Sequence, residues 1–156
     1  MIKVIFLCHG NICRSTLAQS VFTHFVKKMG TEDQFYIDSR ATSREEIGNP
    51  PHRGTVKKLQ EVGIPVVPHR AVQITLADYD QFDYIIGMDD ANIRNLHRIL
   101  KGDPEKKVYK FLNFAGSNRD IADPWYTGDF DQTYEDVCKG CQAFYEYLEK
   151  ENILKI

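Results

Sequence analysis

Ile2-Lys3-Val4-Ile5-Phe6-Leu7-Cys8-His9-Gly10-Asn11-Ile12-Cys13-Arg14-Ser15 is the stretch on which the fold turns. Residues 2–7 read as a short buried strand. Gly10 and Asn11 supply a turn, and a helix starts near Cys13 or Arg14. In that helix Leu17, Val21, Phe22 and Phe25 recur at helical spacing, and Gly30 ends the region. Strand, six-residue turn and helix thus follow one another within the first 30 residues.

The alternation continues downstream. Phe35-Tyr36-Ile37 reads as a second strand. The polar stretch Thr42 to Gly54, with Pro50-Pro51, reads as a loop. Residues 52–62 look helical, with Val56, Leu59 and Val62 on one side and Gly63 as the stop. Thr75 with Asp78 resembles a capping box for a short helix. Tyr84 to Met88 is a third strand, a helix over roughly 90–100 carries Ile93, Leu96, Ile99 and Leu100, and Val108 to Phe111 is a fourth strand. A last helix runs from about 132 to 150. Strands alternating with helices imply an α/β fold, a parallel sheet with helices on both faces, doubly wound and Rossmann-like. No repeat, low-complexity tract or linker divides the chain, and 156 residues fit one domain over 1–156. In such sheets ligands bind beyond the carboxyl ends of the strands, where Cys8 falls.

Composition narrows the function. Net charge is −2, so nothing in bulk electrostatics favours nucleic acid or an anionic membrane, and any anion site is local. No run approaches the roughly 18–20 apolar residues of a membrane span. The first residues lack the pattern of a signal peptide, and the expected location is cytoplasmic. Four cysteines in a chain this size do not suggest a disulfide scaffold.

The turn from Cys8 to Ser15 has the ingredients of a phosphate cradle. Its backbone N–H groups can converge on one point, and the helix start adds partial positive charge. Arg14 offers a planar fork of donors. Gly10 allows close backbone approach, and Asn11 tolerates the left-handed region and can brace the turn. The same donors favour a thiolate at Cys8, a strong nucleophile, and Ser15 is placed to hydrogen-bond it. Attack on phosphorus and hydrolysis of a phosphocysteine need no metal or other cofactor here, because Arg14 and the N–H groups hold the charge. Cys8 alone would read as a small buried hydrophobe; Gly10, Arg14 and Ser15 at these spacings turn the reading to function.

Cys-x5-Arg-Ser after an N-terminal strand resembles the low-molecular-weight protein tyrosine phosphatases. The resemblance takes in Asp38-Ser39, Gly48-Asn49-Pro50-Pro51, His69, Tyr84 to Asp89 and Asp123-Pro124-Trp125-Tyr126, nearly the whole chain. It implies a four-stranded parallel sheet and a phosphocysteine intermediate. It also implies that Asp123 is the general acid, although an Asp before Pro alone reads as a turn former in a loop. Trp125 and Tyr126 could wall a pocket for an aryl group. Asn11, Ser15, Ser39 and His69 resemble a network that shapes the loop and orients the serine. Asp89 resembles a residue near the loop arginine and equally reads as a helix cap. The implied substrate is a phosphotyrosine protein or a small aryl phosphate, with the enzyme a monomer or weakly self-associating.

Cys138 and Cys141 lie on a helical stripe with Tyr134, Val137, Phe144, Tyr145 and Leu148, and read as core. Cys13 stands beside Cys8, and in the resembled family a neighbouring cysteine can form a disulfide with the nucleophile. Three positions depart from the family: His9, usually apolar; Thr16, commonly Pro; and Glu45, where some members place an aromatic pocket wall. They leave the chemistry intact but make the rim more polar. Competing readings are weaker. A thioredoxin-coupled arsenate reductase needs further cysteines around residues 80–90, where there are none. An arginine phosphatase of the same fold has threonine where Ile12 stands, and Ile12 leaves an apolar loop wall. A phosphocysteine carrier needs neither Arg14 nor Asp123, and a phosphoprotein-binding module does not need Asp123.

Overall fold

The computed structural model describes residues 1–155. Four strands, β1 (Ile2–Cys8), β2 (Phe35–Ala41), β3 (Tyr84–Gly87) and β4 (Val108–Lys110), form one sheet in the order β2-β1-β3-β4, every pair parallel. Six helices join them: α1 (Arg14–Lys28), α2 (Arg53–Val62), α3 (Leu76–Gln81), α4 (Asp90–Ile99), α5 (Pro124–Thr127) and α6 (Phe130–Lys150).

Strand β1 is central and has both faces covered, which is why its sequence is nearly all apolar. Val4, Phe6 and Cys8 face a core built with Leu17, Val21 and Phe22 of α1, Leu59 of α2 and Val137, Cys141, Phe144 and Leu148 of α6. Ile5 and Leu7 face the other way, against Tyr79 of α3 and Leu96 of α4. The sheet is therefore doubly wound, as read from the sequence. The chain leaves β1 toward β2 on one side and returns to β3 on the other. The carboxyl end of β1 is thus a switch point where a cleft must open, and Cys8 ends β1.

Several boundaries differ from the sequence reading. Strand β2 runs to Ala41, well past Ile37, because Asp38 to Ala41 pair in register with Ile5 to Cys8; its polar residues hid a strand. Strand β4 ends at Lys110, and Phe111 enters a 3-10 turn, Phe111–Ala115. The segment after Asp123 is not loop throughout. Pro124–Thr127 makes one helical turn, with Pro at a position that needs no N–H and the Asp123 side chain accepting from Trp125 N at 3.0 Å. Helix α6 begins at Phe130, capped by Asp129, whose carboxylate accepts from Gln132 N at 2.9 Å. Gly63 ends α2 in the left-handed conformation at φ 74°, and the Thr75–Asp78 capping box is complete.

The α6 stripe is core, Cys138 being half-buried at its edge. Gly140 lets α6 approach the 3-10 turn: a Cβ there would lie 2.8 Å from the Phe111 ring. Phe111 is fully buried and has nowhere to go. Gly140→Val should therefore destabilise the protein by about 1–3 kcal/mol, read as a lower urea midpoint with an unchanged slope. A wild-type midpoint would mean that this contact is not tight.

Candidate active site

The loop Cys8 to Cys13 is held from outside by its carbonyls. Thr42 N donates to Cys8 O (3.0 Å), Ser43 N to His9 O (3.0 Å) and His52 N to Ile12 O (2.8 Å). Thr16 Oγ1 also reaches Ile12 O (2.8 Å), and Thr55 Oγ1 reaches Ile12 O and Cys13 O (3.3 Å each). With the carbonyls turned outward, the peptide N–H groups turn inward. The amides of Gly10 to Cys13 have no acceptor among the described residues.

Asn11 is the hub. It is fully buried and adopts φ 60°, the left-handed region that Asn tolerates better than other residues with a Cβ. All four of its side-chain hydrogen bonds are made. Nδ2 donates to Ser15 Oγ (2.7 Å) and Ser39 Oγ (2.9 Å); Oδ1 accepts from His69 Nε2 (2.7 Å) and Val72 N (3.2 Å). Because Asn11 donates into Ser15, the single hydroxyl proton of Ser15 is free for Cys8 Sγ, 3.1 Å away. Ser15 N lies 3.4 Å from the same sulfur. Ser39 passes its proton on to Gln19 Oε1 at 2.5 Å.

His69 must carry its proton on Nε2, since the Asn11 atom it meets is a carbonyl oxygen. Burial pulls its pKa below the ordinary histidine value, Asp38 at 3.6 Å pulls it up, and Arg40 opposes Asp38; burial wins. A neutral His69 suits a donor to Asn11.

Arg14 is 2% exposed. Its NH1 donates to Asp89 Oδ2 (2.6 Å) and Ile121 O (2.8 Å), and NH2 lies 3.5 Å from Asp123 Oδ2. Its Nε is buried with no hydrogen-bond partner. Burial works against its charge, but the neighbouring Cys8, Asp89 and Asp123 overcome it and hold the guanidinium pKa above the ordinary value. Asp89 fulfils both of its readings: Oδ1 caps α4 by accepting from Asn92 N (2.7 Å) while Oδ2 takes Arg14.

An open cleft of about 460 Å³ lies over the loop, lined by Cys8, His9, Gly10, Ile12, Cys13, Glu45, Glu46, Asp123, Trp125 and Tyr126. Every sequence-selected residue thus lines the cleft or supports its floor. Trp125 and Tyr126 stand exposed at its edge, and His9 Nε2 meets Glu45 Oε2 at 3.0 Å across the rim. Cys13 is buried; burial first, and the charge of Cys8 second, push its thiol up to about 12. All four cysteines are free.

Gln19, Thr55, Glu46 and the Ile121 carbonyl were missed. Gln19 left a signal: it is a polar residue on the buried side of α1, among Leu17, Val21 and Phe22. The Ile121 carbonyl left none, since a backbone acceptor is invisible in sequence.

No helix among the described residues is long and apolar enough to cross a membrane. A family model described as low molecular weight phosphotyrosine protein phosphatase matches residues 3–154. The chain is 36% identical over 156 residues to the low molecular weight protein-tyrosine-phosphatase YfkJ of Bacillus subtilis, covering 99% of this chain and 100% of that one. It is 37% identical to PtpA of Staphylococcus epidermidis, covering 99% of each. The crystal structure of YfkJ superposes with a TM-score of 0.92 at 37% identity, covering 97% of this chain and 96% of that one. That of the Streptococcus pyogenes low molecular weight protein tyrosine phosphatase gives 0.83 at 41% identity, covering 96% and 93%.

The conformation and the hydrogen bonds of Asn11 separate experimentally. Asn11→Ala loses the four hydrogen bonds and keeps a strained backbone; Asn11→Gly loses the same bonds without the strain. Both should lose activity, and the glycine variant should be the more stable by on the order of 1 kcal/mol in urea unfolding. Equal stabilities would remove the backbone argument.

Proposed function

The chain belongs to the low molecular weight phosphotyrosine protein phosphatase family, and we propose that its reaction runs through Cys8, Arg14 and Asp123. The observation that carries this is one cleft lined by both Cys8 and Asp123, with the buried Arg14 beside it, its NH2 3.5 Å from the Asp123 carboxylate and its Nε without a protein partner.

The phosphate of an aryl monoester sits on the inward-facing amides of Gly10 to Cys13, with Arg14 Nε donating to one of its oxygens. The Ser15 hydroxyl and amide stabilise the Cys8 thiolate. Cys8 Sγ attacks phosphorus, the bond from phosphorus to the leaving oxygen breaks, and Asp123 delivers its proton to that oxygen. The products of this half are the phenol and a phosphocysteine. Asp123, now a carboxylate, takes a proton from water as the water attacks phosphorus. The P–S bond breaks, returning the Cys8 thiolate and releasing phosphate.

Trp125, Tyr126 and Ile12 offer apolar surface to an aryl ring, which fits a phosphotyrosine protein or a small aryl phosphate. The His9–Glu45 pair is solvent-exposed on both sides and contributes little stability; its role is to make the rim polar. On the same reading the chain is one phosphatase domain over 1–156. It is cytoplasmic, needs no cofactor and acts as a monomer.

Cys8→Ser should abolish turnover while leaving inorganic phosphate binding intact. Asp123→Ala should slow an aryl ester by roughly 10²–10⁴. Steady-state assays on phosphotyrosine, phosphoarginine and small phosphate esters check the reading: turnover by Cys8→Ser overturns the nucleophile, and a preference for phosphoarginine overturns the substrate class.

The adjacent Cys13 adds a redox expectation. Mild peroxide should convert Cys8 to a sulfenic acid that Cys13 captures as a disulfide, with loss of water, and a thiol reductant should restore activity. Peptide mass mapping that finds Cys8 only as sulfinic or sulfonic acid excludes this protection.

A further inference from the structure

The residue proposed as general acid hangs on a loop whose position is set elsewhere. Lys110, the last residue of β4, is 8% exposed. Its Nζ meets Asp120 Oδ1 at 2.7 Å and Asp90 Oδ1 at 3.0 Å, and it also donates to the Asn118 carbonyl. Asp120 Oδ1 in turn accepts from the Asp90 backbone N–H at 3.1 Å. One ammonium therefore joins β4, the first residue of α4 and the segment that precedes Asp123.

Only Ile121 and Ala122 separate Asp120 from Asp123. Ile121 is clamped on both sides of its peptide: its N–H donates to Met88 O at 3.0 Å, and its carbonyl accepts from Arg14 NH1 at 2.8 Å. A second tether lies upstream, where Arg119 makes a bidentate pair with the buried Asp136 of α6 at 2.6 and 3.0 Å. That tether ties the loop to α6 but touches nothing at the carboxyl ends of the strands. Lys110 is the cation that joins two carboxylates there, Asp120 of the loop and Asp90 at the helix start next to Asp89, the partner of Arg14.

We propose that Lys110, acting through Asp120, is a positioning residue for proton transfer by Asp123: the Lys110–Asp120–Asp90 cluster fixes where the Asp123 carboxyl stands relative to Arg14. This rests on the reading of Asp123 as the general acid. Without Lys110 the Asp90 and Asp120 carboxylates face each other without a cation, and like charges that close push the loop outward. Arg119 keeps the loop attached, so the loss is of aim rather than of fold.

The test uses full-length protein and a series of aryl phosphates graded in leaving-group acidity. The constant kcat/KM spans the steps through ester cleavage, so loss of the acid hurts poor leaving groups most. Lys110→Met should lower kcat/KM for phenyl phosphate roughly 10- to 100-fold and for p-nitrophenyl phosphate far less. The inhibition constant of inorganic phosphate should stay within a few-fold, since Cys8, Arg14 and the loop amides are untouched. Lys110→Arg, which keeps the charge, should recover part of the loss. In an Asp123→Ala background Lys110→Met should add no further leaving-group dependence. Asp120→Asn, which leaves the ammonium in place, carries the same expectation should the lysine variant fail to fold. A uniform loss over all esters, or a wild-type leaving-group dependence in a folded variant, overturns the proposal while leaving Asp123 as the acid. A wild-type dependence in Asp123→Ala itself overturns the acid assignment, and the proposal with it.

Discussion

Burying a guanidinium costs several kcal/mol unless its charge and its N–H groups are met by partners, and Arg14 is almost wholly buried. The structure meets that demand with four groups from three places. Asp89 comes from the end of β3, the Ile121 carbonyl and Asp123 from the loop before α5, and the Cys8 sulfur from β1. These segments are brought together by the β2-β1-β3-β4 order, which sets β3 beside β1. The parallel sheet is thus what makes the arginine affordable. In turn the arginine fixes the loop that carries Asp123. Of its three nitrogens, Nε is the one with no protein partner.

Asn11 solves a different problem in the same loop. A turn that points its amides inward must bend backward, and that requires a residue in the left-handed region. Glycine would make the bend at lower local strain, but would leave Ser15, Ser39, His69 and the Val72 amide without a common partner. An asparagine makes the bend and fills all four hydrogen-bonding roles. The direction of every proton in the chain from His69 to Cys8 follows from that choice. His69 donates to a carbonyl, the Asn11 amide donates to Ser15, and Ser15 is left to face the sulfur.

Much of this was legible in sequence wherever the signal was local. The strand, turn and helix around Cys8 carry their own periodicity and turn chemistry. The stripe on α6 also showed that Cys138 and Cys141 pack rather than react; full burial pushes the Cys141 thiol well up. The strand character of Asp38 to Ala41 was not legible. Ser39 is polar because it joins the Asn11 network, and Asp38 and Arg40 pair with each other and with His69 and Asp78, so polar partners overrode the apolar pattern. The helical turn after Asp123 was missed for a related reason: Asp before Pro signals a turn, and only the observed cap shows that the turn goes on for one helical winding. Lys110 was read as part of a strand, since nothing local marks a lysine whose three acceptors lie 8 to 20 residues away.

The two loop cysteines show where proximity in sequence misleads. Both lie at the foot of one helix and within reach of one arginine, so motif reasoning alone would activate both. The field in the loop can support only one thiolate. Cys13 is buried, and the charge on Cys8 adds to the cost of a second negative sulfur; together they outweigh Arg14 and keep its proton on. The order of events under oxidation follows from the same balance. While Cys8 is charged, Cys13 is an unreactive thiol. Once Cys8 becomes a neutral sulfenic acid, the largest of the charges holding the Cys13 proton is gone, and burial, Asp123 and Glu46 are left to oppose the attraction of Arg14 for a thiolate. On the proposed redox reading, Cys13 thus gains reactivity through the very step that removes reactivity from Cys8.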